Sequence, residues 1–265
     1  MISLLLTVIP LALPITGGAQ PAPLRVVFQD EEVPDKRPQV KALKEQLLAH
    51  TKKRGDEDAQ AVQIIERLAT EFKRSGPSDK KLIVTEITRA MRVRRPFSRE
   101  GDRKRQLFIA GASALGKMAP ESVSSLIRLA TDKNHKEDFQ VRSAVLAALG
   151  KTKDEKGVKV LTKELDEFTA QVQAAAAEAL GQFTNLDHKK RKAIFEDLLK
   201  LLMSAQADQQ SDPNGMTASD RWRRVSGPCQ RSMTKLAGTN AGSPNNWQRW
   251  WNKNKRRNWD EKDKH

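Results

Sequence analysis

The residue types that most often perform catalysis or bind metal ions are few and isolated in this sequence. His50, His135, His188 and His265 are far apart, and no His-Glu-x-x-His helix motif occurs. The single cysteine, Cys229, lacks a nucleophile signature and excludes an intramolecular disulfide, so it is interpreted as a small packed residue. There is no phosphate-binding glycine loop and no Gly-x-Ser-x-Gly elbow. We therefore predict surface histidines and no catalytic site, metal, cofactor or small-molecule substrate.

Positive charge is the strongest chemical signal, since the formal charge is +15 from 48 Lys and Arg against 33 Asp and Glu. A basic surface of this size attracts polyanions if it is concentrated, and serves solubility if it is dispersed. The sequence does not decide between these alternatives, because it does not say which faces of the fold the basic residues occupy. The candidate binding residues are Arg92, Arg94 and Arg95 in one cluster, Lys189, Lys190 and Arg191 in a second, Arg223 and Arg224 near the first tryptophan, and Arg142.

All five tryptophans lie in the last 44 residues. Ser243 and Pro244 form a strong helix start, and Trp247, Trp250 and Trp251 then share one face of the helix. We predict a capping helix over residues 237–254 whose aromatic face closes the end of the fold, followed by a basic disordered tail over 255–265. The alternative is a tryptophan and arginine surface for nucleic acid or glycan.

The elements that position these residues are helices. From Val40 onward the apolar residues recur at helical spacing, and no long alternating run of β-branched residues occurs. Ala and Leu supply most of the packing, because aromatic residues make up only 5% of the chain. These features predict an all-α fold.

A repeated segment ending in Ala-Leu-Gly predicts how these helices are arranged. Its copies end at Gly116, Gly150 and Gly181, with periods of 34 and 31 residues, and a second amphipathic helix follows each. One such pair cannot bury its apolar face, so the pairs must stack into an α-solenoid of about five helix pairs over 39–236. We expect the three glycines to be structural, as left-handed caps that end the first helices. An ordinary bundle of Ala-rich helices is the alternative.

The second copy carries the resemblance to a known family. Residues 141–165, VRSAVLAALGKTKDEKGVKVLTKEL, resemble the short HEAT repeat of phycobilisome-lyase-like repeat proteins, although the third copy has Gln173 where this one has Arg142. Residues 236–255, LAGTNAGSPNNWQRWWNKNK, also resemble the terminal segment of exported HEAT-repeat proteins from planctomycete-type bacteria. The resemblance implies a HEAT-repeat fold and an export route. It does not imply bilin transfer, because only the repeat pattern is shared.

The first residues are typical of an export signal. An apolar stretch is followed by Gly17 and Ala19 at the −3 and −1 positions of a cleavage site, which predicts a signal peptide over 1–19. A disordered or buried N-terminal segment is the alternative, because the stretch has no preceding Lys or Arg. Four prolines between residues 20 and 38 predict a disordered linker.

These observations favour a non-catalytic HEAT-repeat scaffold that binds an unidentified protein in the periplasm or elsewhere outside the cytoplasm. We expect a monomer without a transmembrane span after processing. The alternative function is binding of a polyanion, either nucleic acid or an acidic polymer, through a basic face of the solenoid.

Overall fold

The computed structural model describes residues 34–94 and 105–261. Within these ranges the chain forms eleven α-helices and no strand, which confirms the predicted all-α class. Short 3-10 turns stand between several of the later helices. The helices are α1 Pro38–Thr51, α2 Asp58–Phe72, α3 Pro77–Met91, α4 Gln106–Leu115, α5 Val123–Ala130, α6 Phe139–Thr152, α7 Val158–Lys163, α8 Ala170–Leu180, α9 His188–Ser211, α10 Met216–Ala237 and α11 Pro244–Asn254.

The helices pack in two rows. The even-numbered helices α2, α4, α6, α8 and α10 form the first row, in which each packs on the next. The odd-numbered helices from α3 to α9 pack beside them, α11 lies against α9, and α1 covers α2 and α3. Five successive pairs from α2 to α11 therefore stack behind α1, as predicted for an α-solenoid of HEAT repeats.

The three repeat glycines are structural for a different reason than the one predicted. Gly116 and Gly181 have right-handed φ values of −61° and −65°, and Gly150 lies inside α6, so none forms a left-handed cap. A Cβ on Gly150 would lie only 2.7 Å from the Cα of Ala179 in the next repeat. A Cβ on Gly116 would lie 3.1 Å from the Cα of Ala148. The glycines are therefore the points where backbones of successive first-row helices touch.

The same contact continues into α10. A Cβ on Gly181 would lie 2.9 Å from the Cα of Ser232. Ser232 therefore occupies the place that Ala148 and Ala179 take in the earlier repeats. The first-row packing thus extends beyond the last recognisable Ala-Leu-Gly segment.

The tryptophans of α11 pack on α9 at the end of the solenoid, although this helix begins at Pro244 and not at residue 237. Ser243 accepts a hydrogen bond from the Asn246 N–H, which starts α11, and Trp247 and Trp251 are buried. The ring of Phe195 in α9 lies 5.5 Å from that of Trp247 and 5.3 Å from that of Trp251. Because these rings are in the core, they are not a surface for stacking nucleic-acid bases or glycans.

The prediction of a disordered tail from residue 255 is wrong for residues 255–261. The Trp259 ring lies 5.4 Å from the Phe195 ring, and its indole N–H donates to the Asn254 carbonyl at 3.2 Å. Asp260 forms an ion pair with Arg191 of α9. The apolar area of Trp259 therefore folds the segment back on the start of α9.

The last residues of the predicted linker over 20–38 are also anchored. The Asp35 carboxylate accepts hydrogen bonds from the backbone N–H groups of Ser78 and Asp79 at the start of α3, at 3.1 and 2.8 Å. Arg37 forms an ion pair of 2.8 Å with Glu71. These contacts fix residues 35–37 to α2 and α3, so the linker prediction is wrong for them.

The predicted signal peptide over 1–19 and the linker as far as residue 33 lie outside the described residues. The same holds for Arg95 and for residues 262–265. No helix within the described ranges is long and apolar enough to span a membrane.

Candidate interaction surfaces

The connections between helices lie along two edges of the solenoid, because consecutive helices run in opposite directions. The connections within a pair, 73–76, 116–122, 153–157, 181–187 and 238–243, form what we term the turn edge. The connections between pairs form the junction edge: these are 131–138, 164–169 and 212–215, together with the described ends, 92–94 and 105, of the connection between α3 and α4. Neighbouring connections are in contact along the turn edge, where the Asn185 side chain donates to the Lys153 carbonyl at 3.5 Å.

The predicted basic clusters lie on opposite edges. Arg92 ends α3 and pairs with Asp132 of the junction edge at 2.9 Å, and Arg94 is exposed two residues later. Lys189 and Lys190 begin α9 at the turn edge. These residues therefore do not converge on one groove.

Arg142 is not a binding residue but part of a buried ion-pair network. Its side chain is only 8% exposed and pairs with Glu164 and Glu167, the latter at 3.2 Å. Burial raises the pKa of Glu164, and the Arg142 guanidinium opposes that rise. The network joins the start of α6 to the chain that follows α7, so its role is to hold one pair together.

Arg191 is also engaged within the fold. It donates to the Leu236 carbonyl at 3.0 Å and pairs with Asp260, which leaves its side chain 13% exposed. Arg223 and Arg224 are exposed, but both bind the Asp220 carboxylate at 2.7 Å. Among the predicted binding residues, Arg94 and Lys189 are exposed and form no ion pair with a described residue, whereas the exposed Lys190 pairs with Glu155 at 2.7 Å.

The two edges differ in charge. Together with four helical residues on either side, the five connections of the turn edge carry twelve Lys and Arg and seven Asp and Glu. The three junction-edge connections that follow α5, taken in the same way, carry five Lys and Arg and eight Asp and Glu. The turn edge is therefore basic and the junction edge is acidic from α5 onward. The connection between α3 and α4 is the exception, since residues 92–105 hold seven Lys and Arg against two Asp and Glu.

Apolar side chains are exposed along the junction edge. Phe168 is 96% exposed in the connection before α8, Met216 is 88% exposed at the start of α10, and Phe139 is 40% exposed at the start of α6. Each of these residues precedes or begins a first-row helix of a successive pair. Because a fully solvated phenylalanine gains nothing for folding, this row is a candidate contact surface for another molecule.

A cavity of about 320 Å³ lies next to this row, between α7, α8, α9 and α10. It forms where Gln173 replaces the arginine that Arg142 supplies to the preceding pair. Arg221 of α10 reaches toward the position instead, and its Nε donates to the Gln173 amide oxygen at 3.2 Å. Asp166 and Asp197 also line the cavity, and burial raises the pKa of Asp197, which the negative charge of Asp166 reinforces.

The histidines and the cysteine do not form a reactive centre in the described part of the chain. Contrary to the prediction of a surface residue, His135 is buried, with its Nε2 2.7 Å from the Met91 carbonyl oxygen and its ring 5.0 Å from that of Phe108. Burial raises the pKa of the Cys229 thiol to about 12, so the thiol is protonated at neutral pH. No group of three potential metal-binding side chains occurs within residues 34–94 and 105–261.

Comparison with known proteins agrees with this class of fold, an α-solenoid built from helix pairs. Residues 100–181 match the family model of HEAT repeats, and this range includes all three Ala-Leu-Gly segments. The matched segment is therefore similar to HEAT repeats, which supports a HEAT-repeat protein. No curated protein shows significant sequence similarity to the chain.

Proposed function

We propose that this protein is a non-catalytic scaffold outside the cytoplasm, and that it binds a protein partner along the junction edge. The row of Phe139, Phe168 and Met216 is the observation that carries the proposal. An apolar row on the acidic part of the junction edge, from α5 onward, suits a polypeptide with apolar and basic side chains, because burial of the apolar groups supplies affinity and the charges orient the partner.

The proposal is tested with the double variant Phe168→Ser/Met216→Ser. Both side chains are almost fully exposed, so the variant should unfold at the same temperature as the wild type. In pull-downs from an envelope fraction at near-physiological salt, we expect wild type to recover a partner that the variant loses. Equal recovery by both proteins, or no partner with wild type, would contradict the proposal.

Export is a separate part of the proposal and rests on the first nineteen residues. An apolar stretch with Gly17 and Ala19 before Gln20 has the composition of a secretory signal. Mass spectrometry of the protein purified from producing cells should find Gln20 as its first residue. A mature chain that still begins at Met1 in the cytoplasmic fraction would refute export.

Polyanion binding is a second candidate function, favoured by the excess of lysine on the turn edge. Of the predicted residues it uses Lys189, while Arg142 and Arg191 are engaged within the fold and Lys190 pairs with Glu155. Retention on a heparin column that is abolished by salt would support it. Elution of the folded protein in the void volume at low salt would exclude polyanion binding.

A further inference from the structure

The turn edge concentrates lysines that have no carboxylate partner. Lys117, Lys151, Lys153, Lys156 and Lys189 are exposed, and none forms an ion pair with a described residue. They lie in or beside three successive connections, after α4, after α6 and at the start of α9. A surface of this kind has free positive charge that is available to an external anion.

The carboxylates on this edge are already engaged. Asp154 and Asp187 accept backbone N–H groups at the starts of the next helical segments, Asp154 from Lys156 at 2.9 Å and Asp187 from Lys189 at 2.9 Å. Glu155 pairs with Lys190 at 2.7 Å. The backbone N–H of Lys190 is the main reason that the pKa of Asp187 is lowered, so this carboxylate stays ionised as a cap.

The glycine contacts set the spacing of these lysines. Because Gly116, Gly150 and Gly181 place successive first-row helices in backbone contact, adjacent connections are separated by about 8 Å, the lower end of helix packing distances. The lysines after α4, after α6 and in α9 thus form a strip that spans about two such intervals. A long flexible ammonium side chain at each step suits a ligand with closely and regularly spaced charges.

The chemistry of the strip distinguishes between anionic ligands. Base stacking on a single strand requires exposed aromatic rings. Phe183, the aromatic residue of the α8–α9 connection, is fully buried, and the nearby Trp247 and Trp251 are in the core. Trp250 and Trp259 are half-buried, and their rings pack on that of Phe195 at 5.3 and 5.4 Å. Apolar side chains that would insert into a membrane are exposed on the junction edge instead. The strip therefore suits a ligand that is bound through its negative charges and not through stacking or apolar contacts.

From these features we infer that the turn edge binds double-stranded nucleic acid through its phosphate backbone, without reading the bases. This inference rests on the second candidate function and names its ligand. A duplex carries one negative charge per about 1.7 Å of its axis, which a strip of lysines can neutralise at several points. The contact releases counterions, so its affinity must fall steeply with salt.

The test uses the full-length protein and a fluorescein-labelled duplex of about 20 base pairs, with binding followed by anisotropy from about 50 to about 200 mM NaCl. If five lysines contact phosphates, the slope of log K against log salt is about −4.5, and affinity falls about 500-fold over that range. The variant Lys151→Gln/Lys153→Gln/Lys156→Gln should retain a slope of about −2.

A matched control removes the same charge from the other edge. Lys133, Lys136 and Lys163 are exposed lysines of the junction edge without ion pairs to described residues. The variant Lys133→Gln/Lys136→Gln/Lys163→Gln should keep the wild-type slope. Equal losses in both variants would overturn the inference, because binding would then follow net charge and not this strip.

Competing ligands separate this inference from the function on which it rests. We expect unlabelled duplex to displace the probe better than a single strand of equal length, heparin or polyglutamate. Stronger displacement by heparin or polyglutamate would leave polyanion binding intact and refute the nucleic-acid assignment. Absence of binding to all four ligands would refute both, and would leave the protein scaffold proposal unaffected.

Discussion

The contact between Gly150 and Ala179 allows the stacking of the repeats to be tested with a single methyl group. In Gly150→Ala the new Cβ would lie 2.7 Å from the Cα of Ala179, which is backbone and cannot turn aside. Overpacking of this kind costs about 1–3 kcal/mol. Alanine recovers up to about 1 kcal/mol through its higher helix propensity. We therefore expect a net loss of about 1–2 kcal/mol in the free energy of unfolding.

Gly227→Ala is the matched control. Gly227 lies inside α10, and the nearest atom that its new Cβ would meet is Nη1 of Arg231, the end of a flexible side chain, at 3.1 Å. Pro228 follows directly, and contact between the new Cβ and the proline ring offsets the helix propensity gain of up to about 1 kcal/mol, so this variant should be about as stable as wild type.

Thermal unfolding followed by circular dichroism measures both variants. A difference of about 1–2 kcal/mol between them corresponds to about 2–8 °C in Tm for a domain of this size. Gly116→Ala should fall between the two, because its Cβ would lie 3.1 Å from the backbone of Ala148. If Gly150→Ala unfolded at the same temperature as Gly227→Ala, the proposed backbone contact would be refuted.

Three further predictions concern the buried contacts. Arg142→Ala should lower the free energy of unfolding in urea by about 3 kcal/mol, because it leaves the Glu164 carboxylate buried without its partner. The double variant Arg142→Ala/Glu164→Leu should recover part of this loss. An Arg142→Ala variant as stable as wild type would show that the pair does not stabilise the fold. Trp259→Ala should lower Tm and should make residues 255–261 accessible to protease, because the Trp259 ring packs on Phe195. Unchanged protection of this segment from cleavage would contradict that packing. Hydrogen bonds from the Ser78 hydroxyl and from backbone N–H groups lower the pKa of Asp35 from 3.8 to about 2, so its stabilising effect is present above pH 3.8 and is lost as pH falls toward 2. Tm measured between these pH values should therefore decrease less in Asp35→Asn than in wild type, and parallel curves would refute the assignment.

The fold class follows from the sequence because helical spacing and the Ala-Leu-Gly repeat are local signals. The role of the repeat glycines was not predictable in this way. A glycine at the end of a helical pattern is equally consistent with a left-handed cap and with close packing, and the atom that decides, the Cα of Ala179 for Gly150, belongs to the next repeat.

The candidate surfaces were harder to predict than the fold. Arg142 is basic in sequence, but its partner Glu164 lies 22 residues away and removes it from the surface. The division of the basic residues between two edges did have a sequence signal, since connections in a helical array alternate between edges and each residue can be assigned by counting helices. Phe168, an aromatic residue within the acidic segment Asp166–Thr169, was a further signal of an exposed apolar contact.

The separation of two surfaces on one solenoid is tested most directly by site-specific photo-crosslinking. A benzoylphenylalanine residue is placed at Phe168 on the junction edge or at Lys153 on the turn edge, and producing cells are irradiated. We predict a defined protein adduct from position 168, lost when Met216→Ser is added, and no adduct with the same protein from position 153. The same protein cross-linked equally from both positions would contradict the account.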